Sequence, residues 1–166
     1  MAKKIYNVRG IYYKFDSKKN CIEINGLLGK YRRGYSGLRL IGSNKFFFDS
    51  FNNYRKFLGF INEQMEGVSN GYFIELNFIG LGYRFLHFGN ILFLKVGYAH
   101  YIKIVVPDSI IAFGYKKRLI LFGLSLEILR NFSNKIKFCK KPDAYKAKGI
   151  QYLNEKLKIK EGKQQQ

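Results

Sequence analysis

Tryptophan is absent from this 166-residue chain, proline, cysteine and histidine each occur only twice, and only eleven residues are acidic. Each shortage excludes something. Cys21 and Cys139 lie far apart in sequence and show no ligand-type spacing with each other or with His87 and His100. No disulfide framework or metal site is therefore expected, and a reducing compartment fits better. The few carboxylates form no obvious acid–base pair, and neither histidine sits near a cysteine or serine in a nucleophile motif, which argues against an enzyme. No stretch stays apolar for the about eighteen residues of a membrane span. The opening MAKKIYNVRG lacks the apolar core of a signal peptide, so a soluble, non-secreted protein without a transit peptide is expected. Gly80-Leu81-Gly82-Tyr83-Arg84-Phe85 imitates the start of a dinucleotide fingerprint, but Phe85 stands where the third glycine belongs and more β pattern follows where a helix should begin. A glycine bulge within a long strand is the expectation, with neither cofactor nor small-molecule substrate.

What the chain has in excess is positive charge. Thirty Lys and Arg give a formal net charge of +19 and a pI near 9.9, while 47% hydrophobic composition is enough for a real core. A folded body with that field calls for a polyanionic partner, nucleic acid first and an anionic membrane surface second. The lysines of the basic region stand beside polar and glycine residues rather than along a strong amphipathic helix, which favours nucleic acid. His87 in RFLHFG and His100 in YAHY then read as packing or RNA-facing side chains. The abundance of Phe, Tyr, Ile, Asn and Lys matches AT-rich codons, common in organelle genomes and shared by some bacteria.

Along the chain, residues 1–10 read as basic and peripheral. Alternation at Ile11, Tyr13 and Phe15, resumed at Ile22 and Ile24 after a polar break at 17–20, predicts a β-hairpin. Gly26 and Gly29 bracket a loop leading to Arg32 and Arg33. Residues 38–41 and 45–48, joined by Gly42-Ser43-Asn44, predict a second hairpin. Asp49 or Ser50 can cap a helix whose core face is Phe51, Tyr54, Leu58, Ile61 and Met65, ending at Gly67. Tyr72, Ile74, Leu76 and Phe78 start a second run of strands, continued at 91–96, 101–106, 110–113 and 118–122. Helical spacing returns at Leu124, Ile128, Leu129, Phe132 and Ile136. The fold class is therefore α+β, with two tandem domains, each a small antiparallel sheet with one helix packed across one face, followed by a basic C-terminal extension. The expected divisions are 1–70, 71–137 and 138–166.

One stretch, KFCKKPDAYKAKGI at 137–150, brings composition, spacing and chemistry together. Pro142 fixes φ and removes an N–H, so the chain leaving the helix is turned and kept extended. In extended chain Lys146 and Lys148 point the same way, offering two ammonium groups to phosphates, while Tyr145 faces the other side, to stack on a base or wedge against the domain. Gly149 lets backbone come close to a sugar or phosphate that a side chain would block. Beyond residue 136 no period is sustained and the chain finishes in Gln164, Gln165 and Gln166, so an ordered tail implies a large partner.

The string PDAYKAKGI at 142–150 closely resembles the C-terminal signature of the bacterial-type ribosomal large-subunit protein six family. The resemblance extends through Glu66-Gly67-Val68-Ser69 with Gly71-Tyr72, through Gly80-Leu81-Gly82-Tyr83-Arg84 and Gly97-Tyr98-Ala99-His100, to the helix ending near Asn131. It implies two tandem domains, no enzymatic activity, and a structural place on the large ribosomal subunit. There the C-terminal domain would grip large-subunit rRNA near the factor-binding region, with neighbouring ribosomal proteins alongside. Tyr145, Lys146, Lys148 and Gly149 are the implied rRNA contacts, and Lys140 and Lys141 are added from charge alone. The first domain lacks the His-Gly-Thr type segment ahead of Glu66, where this chain reads Tyr54-Arg55-Lys56. That departure and the codon bias favour organellar translation in the mitochondrion over a bacterial cytoplasm. A free RNA-binding module acting off the ribosome is the alternative that the same charge permits.

Overall fold

The computed structural model describes residues 3–8, 11–16, 21–34, 38–41, 45–48 and 51–161. The connections at 17–20 and 42–44, the cap at Asp49 or Ser50, the side chains of Phe51 and Tyr54 and the end at 164–166 lie outside the described residues. Met1–Tyr72 with Leu124–Leu126 forms one compact unit, and Phe73–Gly123 with Glu127–Gln166 forms a second.

The first unit contains strands β1 (Lys3–Val8), β2 (Ile11–Asp16), β3 (Cys21–Asn25), β4 (Lys30–Gly34), β5 (Leu38–Ile41) and β6 (Lys45–Phe48), then helix α1 (Phe51–Ser69). Strands β1 to β4 form one antiparallel sheet in chain order, and β5 pairs with β6 alone. The hairpin expected from alternation is β2–β3, with Tyr13 opposite Ile24 and Phe15 opposite Ile22. Two segments read as irregular are strands. Lys3–Val8 pairs along its whole length with β2, and Lys30–Gly34 along its whole length with β3. Lys30, Arg32 and Arg33 are exposed on β4, an outer strand, where charge discourages pairing with another chain and also erases the apolar alternation that would have betrayed a strand.

Helix α1 lies over a core of Ile11, Ile22, Ile24, Phe57 and Val68, with Tyr31, Ile61 and Met65 against it. The buried face keeps Ile61 and Met65 as expected but takes Phe57 in place of Leu58. Phe57 is 7% exposed and Leu58 41%, and Gln64, at 1%, sits among the apolar residues. Phe57→Ala is accordingly expected to cost about 3–5 kcal/mol in urea unfolding, whereas Leu58→Ala should cost less than about 1 kcal/mol. The helix also ends later than Gly67. Asn70 and Gly71 donate their N–H groups to the carbonyls of Glu66 and Gly67 at 2.8 and 3.0 Å, and Gly71 supplies the left-handed turn at φ 74°. Gly67 is small for another reason: a Cβ there would collide with the Leu124 carbonyl oxygen.

The second unit contains β7 (Tyr72–Ile79), β8 (Arg84–Phe88), β9 (Ile91–Lys95), β10 (Ile102–Val105), β11 (Ile110–Tyr115), β12 (Arg118–Gly123), α2 (Leu126–Cys139) and β13 (Gly149–Tyr152). Leu76 and Phe78 on β7 are buried and Phe73 is exposed, as alternation requires. Helix α2 buries Leu129, Phe132, Ser133 and Ile136, at steps of three and four, with Glu127 in its first turn and Lys137 in its last, both favourable to the helix dipole. The strands make two sheets, ordered β10-β9-β8 and β11-β12-β7-β13. Among the described residues each unit pairs one helix with small antiparallel sheets, so the whole is α+β with two tandem sheet-plus-helix units, as expected. The glycines at 80 and 82 do not bulge a long strand. β7 ends at Ile79, and a tight turn carries the chain into β8, which belongs to the other sheet.

The basic segment after α2 is held by its own unit. β13 pairs antiparallel with β7, Ile150 against Phe78 and Tyr152 against Leu76, and Ile150 is fully buried. Leu153 donates its N–H to the Glu75 carbonyl at 3.2 Å, and Lys160 its N–H to the Ala144 carbonyl at 2.9 Å. These bonds tie the described part of the segment to its own unit.

Candidate nucleic-acid interface

Between α2 and β13 the chain makes a compact turn rather than an extended run. Asp143 organises it. Its N–H donates to the Lys148 carbonyl at 2.9 Å, its carbonyl accepts from the Ala147 N–H at 3.0 Å, and its carboxylate accepts from the Lys146 N–H at 3.3 Å. The last of these is the local side-chain-to-backbone bond that favours Asp in turns. Ala147 has φ 54°, a left-handed value that reverses the chain. The strict alternation expected for Lys146 and Lys148 therefore does not apply. Gln151 closes the turn, its Nε2 donating to the Ala147 carbonyl.

Lys141, Tyr145, Lys146 and Lys148 are exposed, with Tyr145 at 56%. Lys140 is half-buried, its Nζ 4.9 Å from the centre of the Tyr98 ring, and the Lys141 Nζ stands 4.7 Å from that of Phe138. Gly149 differs from the other five. It is buried, and a Cβ there would lie 2.6 Å from Pro142 Cα and 2.7 Å from the Lys141 carbonyl oxygen. Its approach is to the protein's own backbone.

Two residues of the Gly97-Tyr98-Ala99-His100 stretch stand by the turn. Tyr98 donates its hydroxyl to the Cys139 carbonyl at 3.2 Å, and its ring stacks on His100 at 6.1 Å. Tyr98 and His100 are both exposed, with Tyr98 beneath the Lys140 ammonium. The YAHY run at 98–101 carried the signal, and the bond from Tyr98 to the last residue of α2 sets it beside the turn. Lys137, by contrast, is occupied internally. It donates to both Glu155 carboxylate oxygens at 2.6 and 2.7 Å, and stands 4.8 Å over the Tyr152 ring. The arrangement gives a hydrogen-bonded loop with cations and rings outward, groups that suit phosphates and bases.

Burial pushes the Glu155 carboxyl up, but the Lys137 hydrogen bond, the Tyr152 N–H and the Lys137 charge together outweigh it and hold the group below its usual range. With the folded value below the unfolded one, about 4.3 for glutamate, the ion pair stabilises fully above that pH and its contribution is lost as pH falls through the folded value. Thermal melts of the wild type and Glu155→Gln should therefore differ at pH 7 and converge in acid. Burial also raises the Cys139 thiol, against a pull from Lys135, which favours the protonated sulfur at neutral pH. Among the described residues no cluster of ligands could hold a metal ion, and no helix is long and apolar enough to cross a membrane.

The fold and this surface define a basic, two-unit α+β protein. No family model matches the chain. It is 31% identical over 162 residues to "Large ribosomal subunit protein uL6m" of Dictyostelium discoideum, covering 96% of this chain and 95% of that protein. It is 37% identical over 100 residues to "Large ribosomal subunit protein uL6" of Lactobacillus delbrueckii subsp. bulgaricus, and 38% identical over 104 residues to the protein of that name from Carboxydothermus hydrogenoformans. These two alignments take in 60% and 62% of this chain and 57% of each bacterial protein. The chain belongs to the uL6 family of large ribosomal subunit proteins, and is of the mitochondrial type.

Proposed function

We propose that this protein is a structural constituent of the mitochondrial large ribosomal subunit, which binds large-subunit rRNA through the turn at 140–148 and braces the factor-binding region. The observation that carries the rRNA reading is the outward display of Lys141, Tyr145, Lys146 and Lys148 on a turn fixed by Asp143. Lys140 supplies a further cation beside Tyr98, and Gly149 fixes the base of the turn. The match to the mitochondrial relative runs nearly end to end, which supports the location. Scaffolding, not catalysis, is the mechanism: ammonium groups offset phosphate repulsion where rRNA strands converge, each charge-assisted contact contributing on the order of 1.5–3 kcal/mol. The turn is already held by β13, so binding need not supply the roughly 1–2 kcal/mol per residue of backbone ordering. Functional division follows 1–70, 71–137 and 138–166, the last segment meeting rRNA and the first meeting neighbouring ribosomal proteins.

The test is sedimentation of mitochondrial ribosomes after a high-salt wash. Retention with the large subunit and its rRNA is expected. Release to the top of the gradient would instead favour an RNA-binding module acting off the ribosome, and a sediment with bacterial rather than mitochondrial subunits would overturn the location.

A further inference from the structure

The unit of Phe73–Gly123 and Glu127–Gln166 carries a second basic feature. A groove of about 520 Å³ is lined by Tyr83, Arg84, Phe85, Lys95, Lys116 and Lys117 among others. Arg84 and Lys95 are direct cross-strand partners on β8 and β9, a like-charge pairing that destabilises a sheet. Both are exposed, and among the described residues no carboxylate pairs with them, with Lys116 or with Lys117. Lys117 donates instead to the Gly80 carbonyl at 3.2 Å, and Lys116 stands 4.8 Å over the Tyr115 ring.

The second observation is backbone strain. Tyr115 pairs with Arg118, so Lys116 and Lys117 form a two-residue hairpin turn. Lys116 has φ 54°, where such turns take Asn, Asp or Gly. The hairpin thus keeps a lysine in a backbone state that disfavours it, beside a like-charge pair that disfavours the sheet. Strain of that kind points to a use.

The third is continuity. Arg84 Nη2 donates to the Tyr101 hydroxyl at 3.4 Å, and Lys95 Nζ stands 5.9 Å from the Tyr101 ring centre. Three residues earlier, Tyr98 underlies Lys140. Three residues span at most about 11 Å, so the two groups of cations lie within reach of one strand.

We propose that this groove binds an RNA phosphodiester backbone, and that residues 96–101 join it to the turn at 140–148 as one continuous track. The proposal rests on the rRNA-binding reading and extends it to Arg84, Lys95, Lys116 and Lys117. Tyr98, His100 and Tyr101 supply rings along the way.

The test pairs Lys95→Gln with Lys116→Asn in the full chain and measures binding to a large-subunit rRNA transcript across a salt series. Asparagine suits the left-handed backbone, so this variant should melt no lower than the wild type. Affinity should fall about 10-fold, and the slope of log K against log salt should shrink by about 2, for two lost phosphate contacts. Unchanged affinity and slope, with binding still weakened by Lys146→Glu plus Lys148→Glu, would overturn the groove and spare the turn. Binding unaffected by either variant would overturn both. Lysine acetylation read by mass spectrometry tests the wild type directly: rRNA should protect Lys95, Lys116 and Lys117, and equal labelling with and without rRNA, or protection by inorganic phosphate alone, would overturn the track.

Discussion

Replacing Lys146 and Lys148 together by glutamate is expected to leave the protein folded and to reduce its incorporation into large subunits by about 100-fold or more. The fold should survive because the turn uses the backbone of these residues and not their side chains. Asp143 bonds the N–H of Lys146 and the carbonyl of Lys148, and both groups persist after substitution. The ammonium groups are exposed, and neither has an ion pair among the described residues. Each substitution removes a cation and adds an anion, so two phosphate contacts become repulsive at once. At 1.5–3 kcal/mol per charge-assisted contact, the lower bound for two is already about two powers of ten. Circular dichroism of the purified variant and gradient sedimentation of assembled subunits read the two halves of the expectation separately. Normal incorporation of a folded variant would remove this turn from the rRNA contact. Asp143→Ala makes a useful comparison, since it keeps every cation and releases the bond to the Lys146 N–H.

Local pattern made much of this molecule legible. Where one face of a strand is buried, alternation announces it, and β2, β3, β5, β6 and β7 were all foreseeable from residue type. What failed was decided by distant partners. Phe57 and Leu58 differ by one position, about 100° around a helix, and an aromatic-rich stretch supports either face. The choice of Phe57 is made by Ile22 and Ile24, more than thirty residues earlier, together with Val68 at the far end of α1. Gln64 was invisible as a core residue because its polarity argues for solvent. Strands β1 and β4 escaped because outer strands rich in Lys and Arg carry no alternation. β13 escaped because GIQY has one aliphatic residue amid lysines, and its pairing depends on the free edge of β7 more than seventy residues back. The basic, outward residues of the candidate site were readable from charge and motif. Their backbone shape was not, because Asp143 and Ala147 fold the stretch where Pro142 alone suggested extension.

Gly149→Ala should lower the melting temperature of the second unit by about 10–20 °C and weaken RNA binding only as a consequence. Two roles are open to this glycine. As a point of close approach for a phosphate, it would tolerate alanine in the free protein and lose affinity alone. The packing argues for the other role. A Cβ would meet Pro142 Cα at 2.6 Å, and the Lys141 carbonyl oxygen and Pro142 nitrogen at 2.7 Å each, and these are backbone atoms that cannot rotate away. Relief requires the 141–142 backbone or β13 to move. Either motion strains the Gly149–Ile79 register and the 2.9 Å bond from the Ile150 N–H to the Lys140 carbonyl, and loosens Ile150, which is fully buried. Overpacking of this kind costs about 1–3 kcal/mol, with the disturbed burial of Ile150 adding to it. For a unit of this size each kcal/mol moves the midpoint by about 4–8 °C. Lys146 and Lys148 would then lose the base on which their turn stands, so affinity should recover in part when binding is measured well below the new midpoint. An alanine variant that melts like the wild type yet fails to bind rRNA would reverse the assignment and put Gly149 at the phosphate after all.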